Sequence, residues 1–144
     1  MSTAANTGPE PAWQLVVRNV TFDCADPYEL ARFWSAATGY PMYDDDHPGD
    51  PAAGVVPPDP RLPGLLFVRV PEGKATKNRV HLDVMPAGRT RDEGVARLLE
   101  LGAKVLDDRR RPDGSGWVVM TDPEGNEFCV ERSAAERAAD PAAT

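Results

Sequence analysis

Three chemically active side chains alternate along the segment NRVHLDV, residues 78–84. Arg79, His81 and Asp83 take every second position, and apolar residues take the positions between them. In a β-strand this alternation places the polar side chains on one face and the apolar ones on the other. A cation, an imidazole and a carboxylate on one face could bind an anion, transfer a proton or contribute ligands to a metal ion.

Two further segments carry polar side chains at the same spacing. In NVTFDC the alternation predicts one polar face formed by Asn19, Thr21 and Asp23, and in NEFCVER it places Glu127 and Cys129 together. Polar groups that are buried without partners cost ~1–3 kcal/mol each. They are therefore expected to pair with one another, to be hydrated or to face a ligand.

Three interpretations of these polar groups stay open. The carboxylates around Arg79 and His81 could form a purely structural network, or some of them could line a ligand pocket. A metal site could also be built from His81, Glu127 and an aspartate. Cys129 would act as a nucleophile only if its pKa were lowered, and buried cysteines more often serve as inert packing.

Alternation, capping residues and turn residues predict the elements that carry these side chains. Asp26 and Thr90 are predicted helix caps, and Gly39 and Gly102 are predicted helix stops. The predicted strands are 15–24, 40–46, an edge strand near 54–56, 65–70, 79–84, 103–111, 116–122 and 126–132, and the predicted helices are 28–38 and 94–102.

The two halves of the chain repeat one pattern. NVTFD at 19–23 matches RVHLD at 79–83, and LLFVRV at 65–70 matches EFCVER at 127–132. Each half reads as a strand, a helix and three strands, and two such halves must pack together to bury their sheets. We expect one domain over residues 13–132, with module one at about 13–72 and module two at about 78–132. Residues 1–12 are expected to be disordered and residues 133–144 to form a frayed tail.

Composition limits the partners. The chain has 144 residues and a formal net charge of −7, which disfavours nucleic acid and anionic membranes. Two distant cysteines, Cys24 and Cys129, do not form a disulfide framework, and no signal-peptide pattern is present at the N-terminus. We expect a cytoplasmic protein with free thiols and a small-molecule ligand; a homodimer is an open alternative to a monomer.

Four segments carry a resemblance to a known family: DCADPYELARFW, KNRVHLDV, LLELGAKVL and WVVMTDPEGNEFCV. Together with the doubled βαβββ pattern, they resemble the vicinal-oxygen-chelate superfamily of glyoxalases, bleomycin-resistance proteins and extradiol dioxygenases, in particular its small glyoxalase-like domains. The resemblance implies an α+β fold in which two βαβββ modules form a curved mixed-sheet cup with helices outside. It also implies that metal-dependent members bind a divalent ion through the first and last strands of each module.

The positions that match the family's metal ligands are Asn19, Phe67, Arg79 and Cys129. They do not form a divalent-metal set, because an arginine stays protonated and cannot act as a ligand. The resemblance thus predicts no metal cofactor, and a divalent ion is left only to the displaced site described above. The polar cup implied by the resemblance contains Asn19, Thr21, Asp23, Arg79, His81, Asp83, Glu127, Cys129 and Glu131, with Trp117 as an aromatic residue at its rim.

Two functions follow from the resemblance. The first is a metal-free protein that binds a small molecule, of the resistance type. The alternative is a lyase, isomerase or dioxygenase acting on a small polar metabolite, with His81 as general acid or base or as a ligand of the displaced metal. The carboxylate-rich cup favours a cationic or multiply hydroxylated ligand.

Overall fold

The computed structural model describes residues 8–10 and 12–141. Ten elements follow one another in these residues. They are β1 (Asn19–Cys24), α1 (Pro27–Thr38), β2 (Ala52–Val55), β3 (Gly64–Arg69), β4 (Leu82–Val84), α2 (Arg91–Leu101), β5 (Lys104–Asp108), β6 (Val118–Thr121), β7 (Glu127–Val130) and α3 (Ala134–Ala139).

The strands form two mixed sheets, one for each module. The order is β1-β3-β2 in the first sheet and β4-β7-β6-β5 in the second. In each sheet the first strand of the module pairs in parallel with the last, β1 with β3 and β4 with β7, and the other pairs are antiparallel. The expected α+β fold and its repeat are confirmed.

The helices cover the apolar faces of both sheets. The Asp26 side chain caps α1, and Gly39 ends it at φ 75°. Trp34 on α1 packs against Phe33 and against Phe128 of β7, with ring centroids 5.2 and 5.0 Å away. Because α1 belongs to module one and β7 to module two, the two modules share a single core.

Two predicted strands are shorter in the structure. β1 begins at Asn19, and Leu15 and Val16 are 95% and 84% exposed. The partner strand β3 begins at Gly64, whose N–H donates to Arg18 O. The residue before Gly64 is a proline, which has no N–H to donate, so the pairing with β1 does not extend further back. The predicted strand at 40–46 is reduced to one bridge between Met42 and Val55.

The strand predicted over NRVHLDV is also shorter, because only Leu82–Val84 pair with β7. Asn78 instead turns toward Glu127, and its backbone N–H donates to the carboxylate at 2.9 Å. Arg79 and His81 therefore precede the strand and are exposed.

The segment expected to be a frayed tail contains the capped helix α3. Ser133 and Glu136 form a capping box, and Glu136 also accepts from the backbone N–H of Arg91 at 2.6 Å. The predicted disordered segment 1–12 lies outside the described residues except for 8–10 and 12. Across residues 8–10 and 12–141, no helix is long and apolar enough to cross a membrane.

Candidate functional site

His81, Asp83 and Cys129 come together on the face of the second sheet that points away from the core. Asp83 and Cys129 are direct partners in the β4–β7 register. His81 Nδ1 lies 3.7 Å from Asp83 Oδ1, and one donor atom from each of the three residues lies within 4.8 Å of the others. We call this group the His81 cluster.

The surroundings of Cys129 keep its thiol protonated. Partial burial raises its pKa most, and the charge of Asp83 and a hydrogen bond with that carboxylate raise it further. Glu131 acts in the same direction, and Lys77 opposes it. A thiol with a raised pKa is a poor nucleophile at neutral pH.

Glu127 is hydrogen-bonded to the segment that precedes β4. Its carboxylate accepts from Lys74 Nζ at 3.0 Å and from the Asn78 N–H at 2.9 Å. Burial alone would raise the Glu127 pKa, but these two hydrogen bonds lower it overall. Glu127 thus anchors the segment before β4. The His81 cluster contains Cys129 where the predicted displaced metal set has Glu127, and it keeps the predicted histidine and an aspartate.

A cleft of about 480 Å³ opens beside β1. Its walls are β1, the segment 70–80 that leads toward β4, and the turn after β6. Val20, Phe22 and Leu82 give it an apolar surface. The charged and amide side chains that line it are Asp23, Glu72, Lys74, Lys77, Asn78, Arg79, Glu124 and Asn126.

The turn after β6 fixes one wall of the cleft to α1. Glu124 accepts from the backbone N–H groups of Ala25 and Asp26 at 2.7 and 2.8 Å. Asp122, which is buried, accepts from Trp34 Nε1 at 3.1 Å and from the N–H of Asn126 at 3.0 Å. Burial raises the Asp122 pKa although these hydrogen bonds act to lower it. The sequence motif DPEGN predicts a turn, but it gives no sign of this contact with the other module.

The structure separates the remaining predicted site residues. Thr21, Asp23 and Arg79 line the cleft, while Asn19 lies at the start of β1 beside Gly64. Within the described chain, none of the His81 cluster residues lines the cleft. Trp117 lines a second pocket together with Glu131.

Phe67, the residue at one of the positions that match the family's metal ligands, lies in the core. Phe67 is fully buried and stacks on Phe22 with ring centroids 5.5 Å apart, on the face covered by the helices. Its partner in the β1–β3 register is Phe22, whereas Thr21 pairs with Leu66. Cys24 is buried and Cys129 is partly exposed, and both are free thiols as predicted.

A sequence model of the glyoxalase-like domain matches residues 19–131. This range covers both modules and every element of the two sheets. The chain belongs to the glyoxalase-like domain family.

Solved structures with this glyoxalase-like fold share little sequence with the chain. A hypothetical protein from Staphylococcus aureus is 15% identical with a TM-score of 0.61, over 85% of this chain and 96% of its own. A superfamily member from Sphaerobacter thermophilus is 20% identical with a TM-score of 0.59, over 82% and 97%. A mutant of the Listeria monocytogenes fosfomycin resistance protein FosX, complexed with Mn(II) and a dihydroxypropylphosphonic acid, is 13% identical with a TM-score of 0.60, over 85% and 94%. No curated protein matches the chain.

The metal positions implied by the resemblance do not fit a divalent ion in this glyoxalase-like domain. Phe67 lies in the core, and Arg79 is a protonated cation. Only Asn19 and Cys129 of the four carry atoms that could bind a metal ion, and two such residues do not make a divalent-metal site. The His81 cluster, by contrast, offers nitrogen, oxygen and sulfur donors on one surface.

Proposed function

We propose that this glyoxalase-like domain is a metal-free binding protein of the resistance type, which holds a small polar molecule in the cleft beside β1. The observation that carries the proposal is the cleft itself. Its volume of about 480 Å³ falls within the ~300–1,000 Å³ range of small-molecule sites. An apolar surface with a few polar groups around it is the usual composition of such sites.

The charges of the cleft support a ligand without large net charge. Lys74 is already paired with Glu127, and Glu124 is held by two backbone N–H groups. The other charged lining residues are Asp23, Glu72, Lys77 and Arg79, two of each sign. A multiply hydroxylated or zwitterionic molecule suits this balance better than the cation that the predicted carboxylate-rich cup favours.

A thermal-shift screen of amino acids, sugars and hydroxylated aromatic compounds tests the proposal. A compound that binds only the native state raises the melting temperature, and the increase grows with the logarithm of the ratio of its concentration to Kd. Lys77→Gln and Asp23→Asn should each weaken the binding of a hit by about tenfold, because each removes a charged partner. Arg97→Gln on the exposed face of α2 is the matched control. A hit whose affinity neither cleft variant changes would contradict the proposal.

The His81 cluster favours a second candidate function, an enzyme that uses a bound divalent ion. Histidine, cysteine and aspartate are the ligands that Zn²⁺ takes in catalytic sites, where three protein ligands leave one position open. When bound, such an ion would polarise an oxygen of the substrate as a Lewis acid. The Asp83 carboxylate, which now faces the protonated Cys129 thiol, would take part in holding the ion.

Titration with Co²⁺ tests this second function independently of activity. A thiolate ligand to Co²⁺ gives an absorption band in the near ultraviolet, which Cys129→Ser and His81→Ala should abolish. His47→Ala removes the other histidine of the chain, which lies outside the cluster, and should leave the band unchanged. No band with the unmodified protein, or a band that persists in Cys129→Ser, would reject a metal-binding cluster.

A further inference from the structure

The cleft beside β1 is bounded on one side by the edge of a sheet. Among the described strands, β1 pairs only with β3, so one of its two edges takes part in no ladder. The consecutive residues 20–25 all line the cleft, which means that β1 contributes its backbone as well as its side chains. The edge of a sheet presents N–H and C=O groups that can pair with another extended chain.

The parallel ladder shows which backbone groups of β1 lie on this edge. Val70 N–H donates to Cys24 O at 2.9 Å, so the backbone groups of Cys24 face β3. Because the direction alternates along a strand, those of Phe22 also face β3. The N–H and C=O groups of Thr21 and Asp23 therefore point away from β3.

Glu124 shows that this edge faces the cleft. Ala25 is the next residue in the series of Thr21 and Asp23, and its N–H donates to Glu124 Oε1 at 2.7 Å. Glu124 itself lines the cleft. Since Glu124 already pairs with the Ala25 N–H, the open part of the edge lies at Thr21 and Asp23, which are about 6.6 Å apart along an extended strand.

The side chains of β1 give its two faces different polarity. Val20 and Phe22 are apolar and half-buried, whereas Thr21 and Asp23 are exposed. A strand added beside β1 would place its own side chains on the same two faces. Alternating apolar and hydroxylated side chains would match both of them.

The opposite wall of the cleft is tied to β7 and to the turn before it. The Asn78 N–H donates to Glu127, and Asn78 Nδ2 donates to Asn126 Oδ1 at 2.9 Å. Lys74 Nζ donates to the same Glu127 carboxylate. A wall that is fixed before binding reduces the ordering cost of binding.

The charges and the volume of the cleft limit the peptide that it could take. Apart from Lys74 and Glu124, the charged lining residues are two acidic and two basic ones, which favours a ligand of zero net charge. The volume of about 480 Å³ lies within the ~300–1,000 Å³ range of small-molecule sites, so the peptide must be short.

We propose that the cleft binds a short extended peptide of zero net charge, which adds to the edge of β1 as a further strand. Main-chain hydrogen bonds to Thr21 and Asp23 would supply affinity, and contact with Val20 and Phe22 would select apolar side chains at alternate positions. This inference rests on the proposed binding function and names the class of its ligand.

Calorimetric titration with a pentapeptide of alternating threonine and valine, capped by acetyl and amide groups, tests backbone pairing. The N–H groups of an extended peptide alternate in direction, so only every second one can face β1. N-methylation of the two valines and N-methylation of the first two threonines should therefore change Kd unequally, by about tenfold or more. Equal effects, or no binding of the unmodified pentapeptide, would overturn the proposal.

A proline at the edge tests the same pairing from the side of the protein. Thr21→Pro removes an N–H that points away from β3, so the ladder between β1 and β3 should persist, as circular dichroism can verify. It should weaken pentapeptide binding about tenfold or more, and further than Thr21→Ala, which keeps the N–H. Equal weakening in the two variants would overturn the assignment of the edge. If Thr21→Pro does not fold, the N-methylated pentapeptides decide the question alone.

The same titrations separate this proposal from the proposed function. A screened compound that binds in the cleft, together with a pentapeptide that does not bind, would overturn the peptide proposal and leave the binding function standing. Failure of both to bind would overturn both. Sedimentation velocity covers another occupant of the edge. A particle of twice the chain mass that the pentapeptide converts into monomers would overturn the proposal, because a second copy would then occupy β1.

Discussion

At the scale of single residues, burial and the neighbouring Asp83 carboxylate together raise the pKa of the Cys129 thiol. Asp83 and Cys129 are register partners on adjacent parallel strands, so the carboxylate lies beside the thiol. Partial burial and the Asp83 charge both raise the Cys129 pKa, and the thiol therefore remains protonated at neutral pH. A protonated thiol is a poor nucleophile, and it would have to release its proton to bind a metal ion.

We expect Asp83→Asn to make Cys129 more reactive. Removing the negative charge lowers the Cys129 pKa, which increases the thiolate fraction at a fixed pH above neutrality. The rate of alkylation by iodoacetamide, measured against pH in a Cys24→Ala background, should reach its midpoint at a lower pH. Asp59→Asn, at a partly exposed aspartate paired with Arg61 and outside the His81 cluster, is the control. An identical midpoint with and without Asp83 would show that burial alone sets this pKa.

Cys24 should make stability depend on alkaline pH. Burial, and next the charge of Glu124, raise its pKa from about 9 to about 11. Between these values the folded chain keeps a proton that the unfolded chain releases, so the stability contribution of this thiol is complete below about pH 9 and is lost as the pH rises toward 11. Urea titrations should show a smaller loss over this range in Cys24→Ala than in the unmodified chain. Parallel curves for the two proteins would contradict the shift.

At the scale of elements, Phe67 illustrates how far sequence patterns reach. The repeat predicts that β3 and β7 are equivalent, and the structure agrees. The alignment, however, pairs Phe67 with Cys129, whereas the buried counterpart of Phe67 on β7 is Phe128. A slip of one residue moves a side chain to the opposite face of a sheet, so a repeat found by eye predicts the strand without fixing its face.

The sequence predicts the neighbours of a site residue only where those neighbours lie in paired strands. Asp83 and Cys129 share a face because both lie inside paired strands, where period-two alternation holds. Glu127 also lies on β7, but its partners Lys74 and Asn78 come from the segment before β4. The course of such a segment depends on tertiary hydrogen bonds rather than on periodicity, so the sequence could not predict them.

The contribution of helix α3 to stability can be tested through its N-cap residue, Ser133. Ser133 caps it and is buried, so Ser133→Ala should lower the free energy of unfolding by about 1 kcal/mol, the usual cost of a lost N-cap. The same loss is expected for Thr90→Ala at the cap of α2. Urea unfolding measures both. A Ser133→Ala protein as stable as the unmodified chain would mean that α3 contributes nothing to the folded state.

At the scale of the whole molecule, the DPEGN turn joins the two modules. Glu124 accepts from the backbone N–H groups at the N-terminal end of α1, and Asp122 accepts from the Trp34 indole. Module two therefore supplies hydrogen-bond acceptors to the helix of module one. Trp34 is 1% exposed and contacts aromatic residues of both modules. Neither module buries its apolar face alone, and cooperative unfolding of the whole domain follows.

The segment before β1 stands apart from this shared core. Trp13, Leu15 and Val16 are 84–97% exposed, so these side chains bury little surface in a single chain. Replacing Trp13, Leu15 and Val16 with serine should therefore change the melting temperature little, whereas Trp34→Ala should cost about 3–5 kcal/mol as a core truncation. Differential scanning calorimetry compares the two variants, and sedimentation velocity records their mass. A triple variant that both lowers the melting temperature and halves the mass of the particle would contradict this prediction, because it would mean that a second copy covers these side chains.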